Sequence, residues 1–125
     1  MHPLSMEYTE EIVRDLLDED GWEYYFIDAP CCDFIARRGK LKVLVEVKGV
    51  NYPYIPVRQL CGLIVAAEIL NTDAVIIVVG NHKALFYDAY ELASYYELDC
   101  DSEDALFDDT ELSIEVIDPY HETAY

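Results

Sequence analysis

Basic residues are scarce in this chain: eight Lys and Arg stand against 26 Asp and Glu over 125 residues, a formal net charge of -18. A surface with that average repels nucleic acid and anionic membranes, so either partner would need a local exception. Glycine and proline are also few, at five each, while 53% of the residues are hydrophobic. A disordered, collagen-like or linker-dominated chain is thereby excluded, and one domain with a buried core is expected. Long apolar runs are missing. The longest lies near Leu60–Ala67, far short of the roughly 18 residues that span a bilayer. Met1–Tyr8 carries no basic n-region or apolar h-region, so the expectation is a cytoplasmic chain without a membrane partner. The four cysteines, Cys31, Cys32, Cys61 and Cys100, form no C-x-x-C pair, and only three histidines are present. Neither a zinc nor an iron–sulfur pattern is supported, and the thiols are expected to be small buried residues in a reducing compartment.

The few cations are concentrated. Asp33–Gln59 holds Arg37, Arg38, Lys40, Lys42, Lys48 and Arg58 against only Asp33 and Glu46, and the rest of the chain carries two basic and 24 acidic residues. Such an acidic remainder suits either solubility at high salt or imitation of DNA phosphates; the basic cluster favours the first, since a pure mimic has no use for it.

Hydrophobic spacing outlines alternating helices and strands. Ile12, Val13, Leu16 and Leu17 fit an amphipathic helix over Met6–Asp20 that Gly21 stops. Aromatic-rich Trp22–Ile27 suits a strand, and a second begins near Cys32. Pro56 fits the first turn of a helix whose buried stripe is Val57, Leu60, Ile64 and Ala67. Ala74–Val79, all aliphatic, reads as a strand covered on both faces and joined to the earlier ones by a parallel crossover. Ala84–Tyr87 suits a short edge strand, Ala89–Tyr96 a third helix and Leu112–Ile117 a last strand, with Asn51–Ile55 a turn-prone stretch and Asp99–Asp109 an acidic loop. The fold class is α/β, a mixed central sheet flanked by helices, in a single domain with its core over 6–97 and an acidic C-terminal extension over 98–125.

Phe34–Arg38 and Lys42–Lys48 flank Gly39-Lys40, a type II′ hairpin signal. With those two residues as the loop, Ile35 faces Leu44 and Asp33 faces Glu46. Side-chain alternation then puts Asp33, Glu46 and Lys48 on one face and Val43, Val45 and Val47 on the other. Two carboxylates and the Val47 carbonyl are hard oxygen donors for Mg²⁺ or Mn²⁺, with water and phosphate oxygens completing an octahedron. Lys48 is placed to orient or help deprotonate an attacking water and to offset charge on phosphorus. An exposed ion pair of Glu46 with Lys48 is the plainer reading of E-x-K taken alone.

Cys32-Asp33 followed by Glu46-Val47-Lys48, set among helix, three strands, helix and strand over Met6–Val79, resembles the PD-(D/E)XK superfamily with its restriction-endonuclease-like fold. Tyr8–Trp22 followed by the E-V-K-G strand is most similar to its Holliday-junction resolvase and Mrr-type branch. The resemblance implies a metal-dependent DNA endonuclease, with branched or damaged DNA as substrate, working as a homodimer. It further implies Glu10 from the first helix near the metal, with Glu7 and Glu11 as reserves, and Gln59 at the start of the second helix facing the site. Arg58, beside it, stands as a phosphate contact, and Arg37, Arg38 and Lys40 as substrate-binding residues, although a solubilised hairpin tip explains the last three equally well. Proline does not directly precede Asp33; Pro30 lies three residues earlier. Two other readings keep these residues in other roles: a nuclease-derived binding module without turnover, and an acidic DNA-mimic inhibitor. His82-Lys83 is explained by a turn, and the eleven tyrosines as core and surface filler, a base-stacking platform for single strands being the alternative that no periodicity supports.

Overall fold

The computed structural model describes residues 6–125, with side chains described from Tyr8 onward. Met1–Ser5 and the Glu7 side chain, on which the leader reading and one reserve carboxylate rest, lie outside the described residues. A six-stranded mixed sheet in the order β1-β2-β3-β5-β6-β8 forms the centre, from strands Glu23–Phe26, Phe34–Arg38, Leu41–Gly49, Asp73–Gly80, Lys83–Asp88 and His121–Ala124. Only the β3–β5 pairing is parallel; the others are antiparallel. A second ladder of two short strands joins β4 (Tyr54–Pro56) to β7 (Glu111–Ser113).

Each face of the sheet has its own core. Helix α1 (Met6–Glu19) lays Ile12, Val13 and Leu17 on Val43, Val45, Val47, Ile77 and Val79. On the other face α2 (Val57–Leu70) and α3 (Ala89–Tyr95) bury Leu60, Leu63, Ile64, Ala67 and Leu92 against Leu44, Ile76 and Val78. The alternation of β3 is what serves two cores at once, odd residues to α1 and even residues toward α2. Gly21, at φ 77°, ends α1: its N–H donates to Asp18 and that of Trp22 to Leu17, the paired bonds of a Schellman stop. No helix among the described residues is long and apolar enough to cross a membrane.

The hairpin expectation holds along the ladder from Arg38 with Leu41 to Phe34 with Val45, and the expected pair of Asp33 with Glu46 lies beyond its end. Gly39 takes φ 62° and Lys40 stays at negative φ, and Ile35 pairs with Leu44 and Phe34 with Val45. His82 lies with Asn81 in the two-residue turn between β5 and β6, both at positive φ, as a type I′ hairpin requires.

Three elements depart from the sequence reading. The turn-prone Asn51–Ile55 ends in β4, whose Pro56 disguised it. The expected Leu112–Ile117 strand stops at Ser113, and the 98–125 stretch supplies two strands, β7 against β4 and β8 against β6. β6 is therefore not an edge. The acidic loop is also structural: Thr110 and Asp108 carbonyls accept the N–H groups of Val57 and Arg58, capping the start of α2, which has no side-chain cap.

Candidate active site

Asp33 lies just before β2, one residue beyond the last ladder pair of Phe34 with Val45; its N–H donates to the Val45 carbonyl at 2.8 Å and its Oδ2 accepts the Val47 N–H at 2.8 Å. In an extended strand a residue's N–H and C=O leave by the same edge. The Val47 carbonyl therefore faces the Asp33 side as well. Glu46 comes from the middle of β3, on the α2 face. Gln59, in the first turn of α2, closes the group: its Nε2 donates to Glu46 Oε1 at 3.0 Å and its Oε1 accepts from Lys48 Nζ at 2.7 Å. Lys48 Nζ also stands 3.6 Å from Glu46 Oε1. One amide thus holds a cation and an anion in fixed relation.

Burial makes this arrangement costly. Asp33 and Glu46 are 5% and 3% exposed, the only acidic side chains buried among the described residues, and Glu46 Oε2 has no hydrogen-bond partner. Burial raises the pKa of Asp33, against the opposing effects of the Val47 N–H, the neighbouring Glu46 carboxyl as a hydrogen-bond partner and the Lys48 charge. Glu46 is pushed up to about 8, chiefly by burial and then by the neighbouring Asp33 carboxylate, with Lys48 acting the other way. Without a cation the pair therefore keeps a proton at neutral pH. An orphaned, buried carboxylate oxygen beside a second carboxylate and a main-chain carbonyl is a donor set that fits a hard divalent ion. Among the described residues no group of three or more His, Cys, Asp or Glu side chains gathers at one point, so solvent or phosphate oxygens must fill the remaining positions.

Glu10 is half-buried on α1, which covers the Val43, Val45 and Val47 face. It does not form a three-acid group with Asp33 and Glu46. Glu11 is exposed. The arginines named as substrate contacts are each paired with an acid. Arg37 pairs with Glu23 at 2.7 Å, Arg38 pairs with Asp20 and lies over the Trp22 ring, and Arg58 pairs with Asp109. Lys40 is at the opposite end of β3, six residues from Glu46, or about 20 Å at strand rise. The free thiols are structural: Cys32 and Cys61 are buried, and burial pushes the thiols of Cys32, Cys61 and Cys100 up. Tyr52 and Tyr54, which the sequence reading left among the eleven tyrosines without singling them out, are exposed in the segment between Lys48 and Gln59. Their position just after E-x-K was the available signal.

A mixed central sheet flanked by helices, with one parallel pairing between β3 and β5, is the restriction-endonuclease-like fold. Among solved structures, the chain is similar to Hjc, a Holliday junction resolvase from the archaeal hyperthermophile Archaeoglobus fulgidus, with a TM-score of 0.57 and 21% identity. The match covers 66% of this chain and 73% of that one. No protein-family model matches the chain, and no curated protein matches it.

Proposed function

We propose that this protein is a divalent-metal-dependent DNA endonuclease of resolvase type, acting as a homodimer on branched DNA. The single observation that carries the reading is Glu46: an almost fully buried carboxylate with an unpartnered oxygen, set beside a second buried carboxylate and tied to a lysine. A protein that needed only stability would place Gln or an aliphatic residue there, since buried charge is costly. The likeness to a solved Holliday junction resolvase supports the substrate class.

Asp33, Glu46 and the Val47 carbonyl would hold Mg²⁺ or Mn²⁺. The ion supplies Lewis acidity and charge neutralisation at the scissile phosphate. Asp33 is oriented by the Val47 N–H, so its second oxygen is left for the ion. Lys48, whose side chain is 20% exposed against 4% for Glu46, presents its ammonium toward the incoming phosphate, where it offsets developing negative charge and steadies the attacking water. Gln59 fixes the distance between Lys48 and Glu46. A symmetric pair of chains would bring one such site to each of two strands.

The test is cleavage of supercoiled, single-stranded and four-way-junction DNA with Mg²⁺ or Mn²⁺ over a salt series, with Lys48→Ala alongside. Metal-dependent cutting that is lost in Lys48→Ala is the expected result. Absence of such cutting on every substrate removes the enzyme. A binding-only module is the alternative, and metal titration separates it: such a module is expected to lack affinity for Mn²⁺ at Asp33 and Glu46.

A further inference from the structure

Lys48 and Gln59 meet at the site but are eleven residues apart in the chain, and the segment that joins them, a loop followed by β4, carries two exposed aromatic rings. Tyr52 and Tyr54 are 60% and 39% exposed, with ring centroids 4.9 Å apart and planes inclined by 42°. The Tyr52 N–H donates to the Gly49 carbonyl at 3.1 Å. That turn keeps the Tyr52 Cα within about 7 Å of Gly49, the residue after Lys48.

The pair is backed on both sides. Upstream, the Val50 N–H donates to Val79 at 3.0 Å, and the Val50 side chain fills the space that a Cβ on Gly80 would need, 2.2 Å from its Cγ2. Downstream, Tyr54 pairs with Ser113, whose carbonyl accepts the Tyr96 hydroxyl at 2.7 Å. Two apolar rings are thus held at the surface on a clamped loop, one turn beyond Lys48.

Electrostatics decides what such a surface is for. Around the site Arg58 is tied to Asp109, and the hairpin cations stand at the far end of β3, in a chain with 26 acids. Phosphate contacts therefore supply little affinity, and they fade with salt. Stacking of a base on an aromatic ring is worth roughly 1–3 kcal/mol and tolerates any sequence, but bases inside continuous duplex do not offer a free face.

We infer that Tyr52 and Tyr54 form a stacking platform for unpaired nucleobases of the strand whose phosphate enters the Asp33–Glu46 site, so that the preferred DNA has single-stranded or unpaired nucleotides beside the scissile bond. The placement of the phosphate rests on the nuclease reading; the binding of bases does not.

The experiment measures fluorescence anisotropy of a labelled 15-nucleotide single strand, the matching duplex, and that duplex with a three-nucleotide bulge, in EDTA at 50 and 500 mM salt. Wild type is expected to bind the single strand and the bulge at least tenfold more tightly than the duplex. The Tyr52→Ala/Tyr54→Ala double variant loses about tenfold or more on those two probes at both salt concentrations, whereas Tyr52→Phe/Tyr54→Phe stays within about twofold. In Tyr52→Trp, indole fluorescence is quenched by the single strand and not by the duplex. Equal binding of duplex and single strand, no binding of any probe, or a double Ala variant that binds as wild type overturns the platform. Parallel cleavage assays keep the two readings apart. Tyr-dependent binding with no cleavage removes the nuclease and keeps the platform; cleavage and binding indifferent to both tyrosines do the reverse.

Discussion

The two ends of the β2–β3 hairpin handle charge in opposite ways. At the turn, Arg37 and Arg38 are exposed, pair with Glu23 and Asp20 at the surface, and rest on a loop where Gly39 has nothing within 4 Å. At the other end Asp33 and Glu46 are almost completely buried; Asp33 is held by the Val47 N–H, Glu46 by the Gln59 amide beside Lys48, and one Glu46 oxygen is left without a hydrogen-bond partner. Surface pairs of the first kind are worth little and cost little. Buried groups of the second kind lower stability unless something binds them. Sequence charge alone points to the basic tip as the interesting end, and burial reverses that ranking.

The sharpest break in this comparison is catalytic. Lys48→Ala and Asp33→Asn should each lower metal-dependent cleavage of a labelled four-way junction by about a thousandfold, while Arg37→Ala and Lys40→Ala change the rate less than about threefold. Equal losses at both ends would erase the contrast.

Stability responds next. Glu46 has a folded-state pKa of about 8 against an ordinary 4.5, so its protonated form is the one folding favours. Its contribution is fully present below about pH 4.5 and is lost as pH rises through about 8, a few kcal/mol in all. In EDTA, Glu46→Gln should therefore melt several degrees above wild type at pH 8.5 and level with it at pH 4.5, read by circular dichroism. Mn²⁺ replaces the proton, so its stabilisation of wild type should be larger at pH 8 than at pH 5. A Glu46→Gln variant that is less stable than wild type at pH 8.5 would mean that the carboxylate is not under strain.

Glycines sharpen the same contrast. Gly80→Ala forces a methyl into Val50 at positive φ and should cost about 1–3 kcal/mol in urea melts, partly recovered by Val50→Ala. Gly39→Ala meets open space and carries only its φ cost, roughly 1 kcal/mol. Smallest of all, Arg38→Ala should change stability by under ~1 kcal/mol, less at high salt.

The fold was legible wherever one local signal fixed many positions. Gly39-Lys40 sets the hairpin register, and with it the meeting of Asp33 and Glu46; the aliphatic run of β5 and the stripe of α2 followed the same logic. β4 and β8 were not legible and β7 only in part, because strands of three or four residues with a proline or mostly polar side chains show no periodicity. Within the site, Gln59 lay where its resemblance put it, but its double bond to Lys48 and Glu46 depends on tertiary approach. The capture of Arg58 by Asp109, 51 residues away, likewise leaves no trace in local sequence, nor does the placement of α1 on the face away from Glu46.

Anomalous diffraction from crystals soaked in Mn²⁺ bears most directly on the buried pair. One manganese peak per chain, bounded by Asp33, Glu46 and the Val47 carbonyl and missing in Glu46→Gln, is the predicted result. A map with no peak there, or with manganese only on surface carboxylates, would contradict a metal-dependent nuclease.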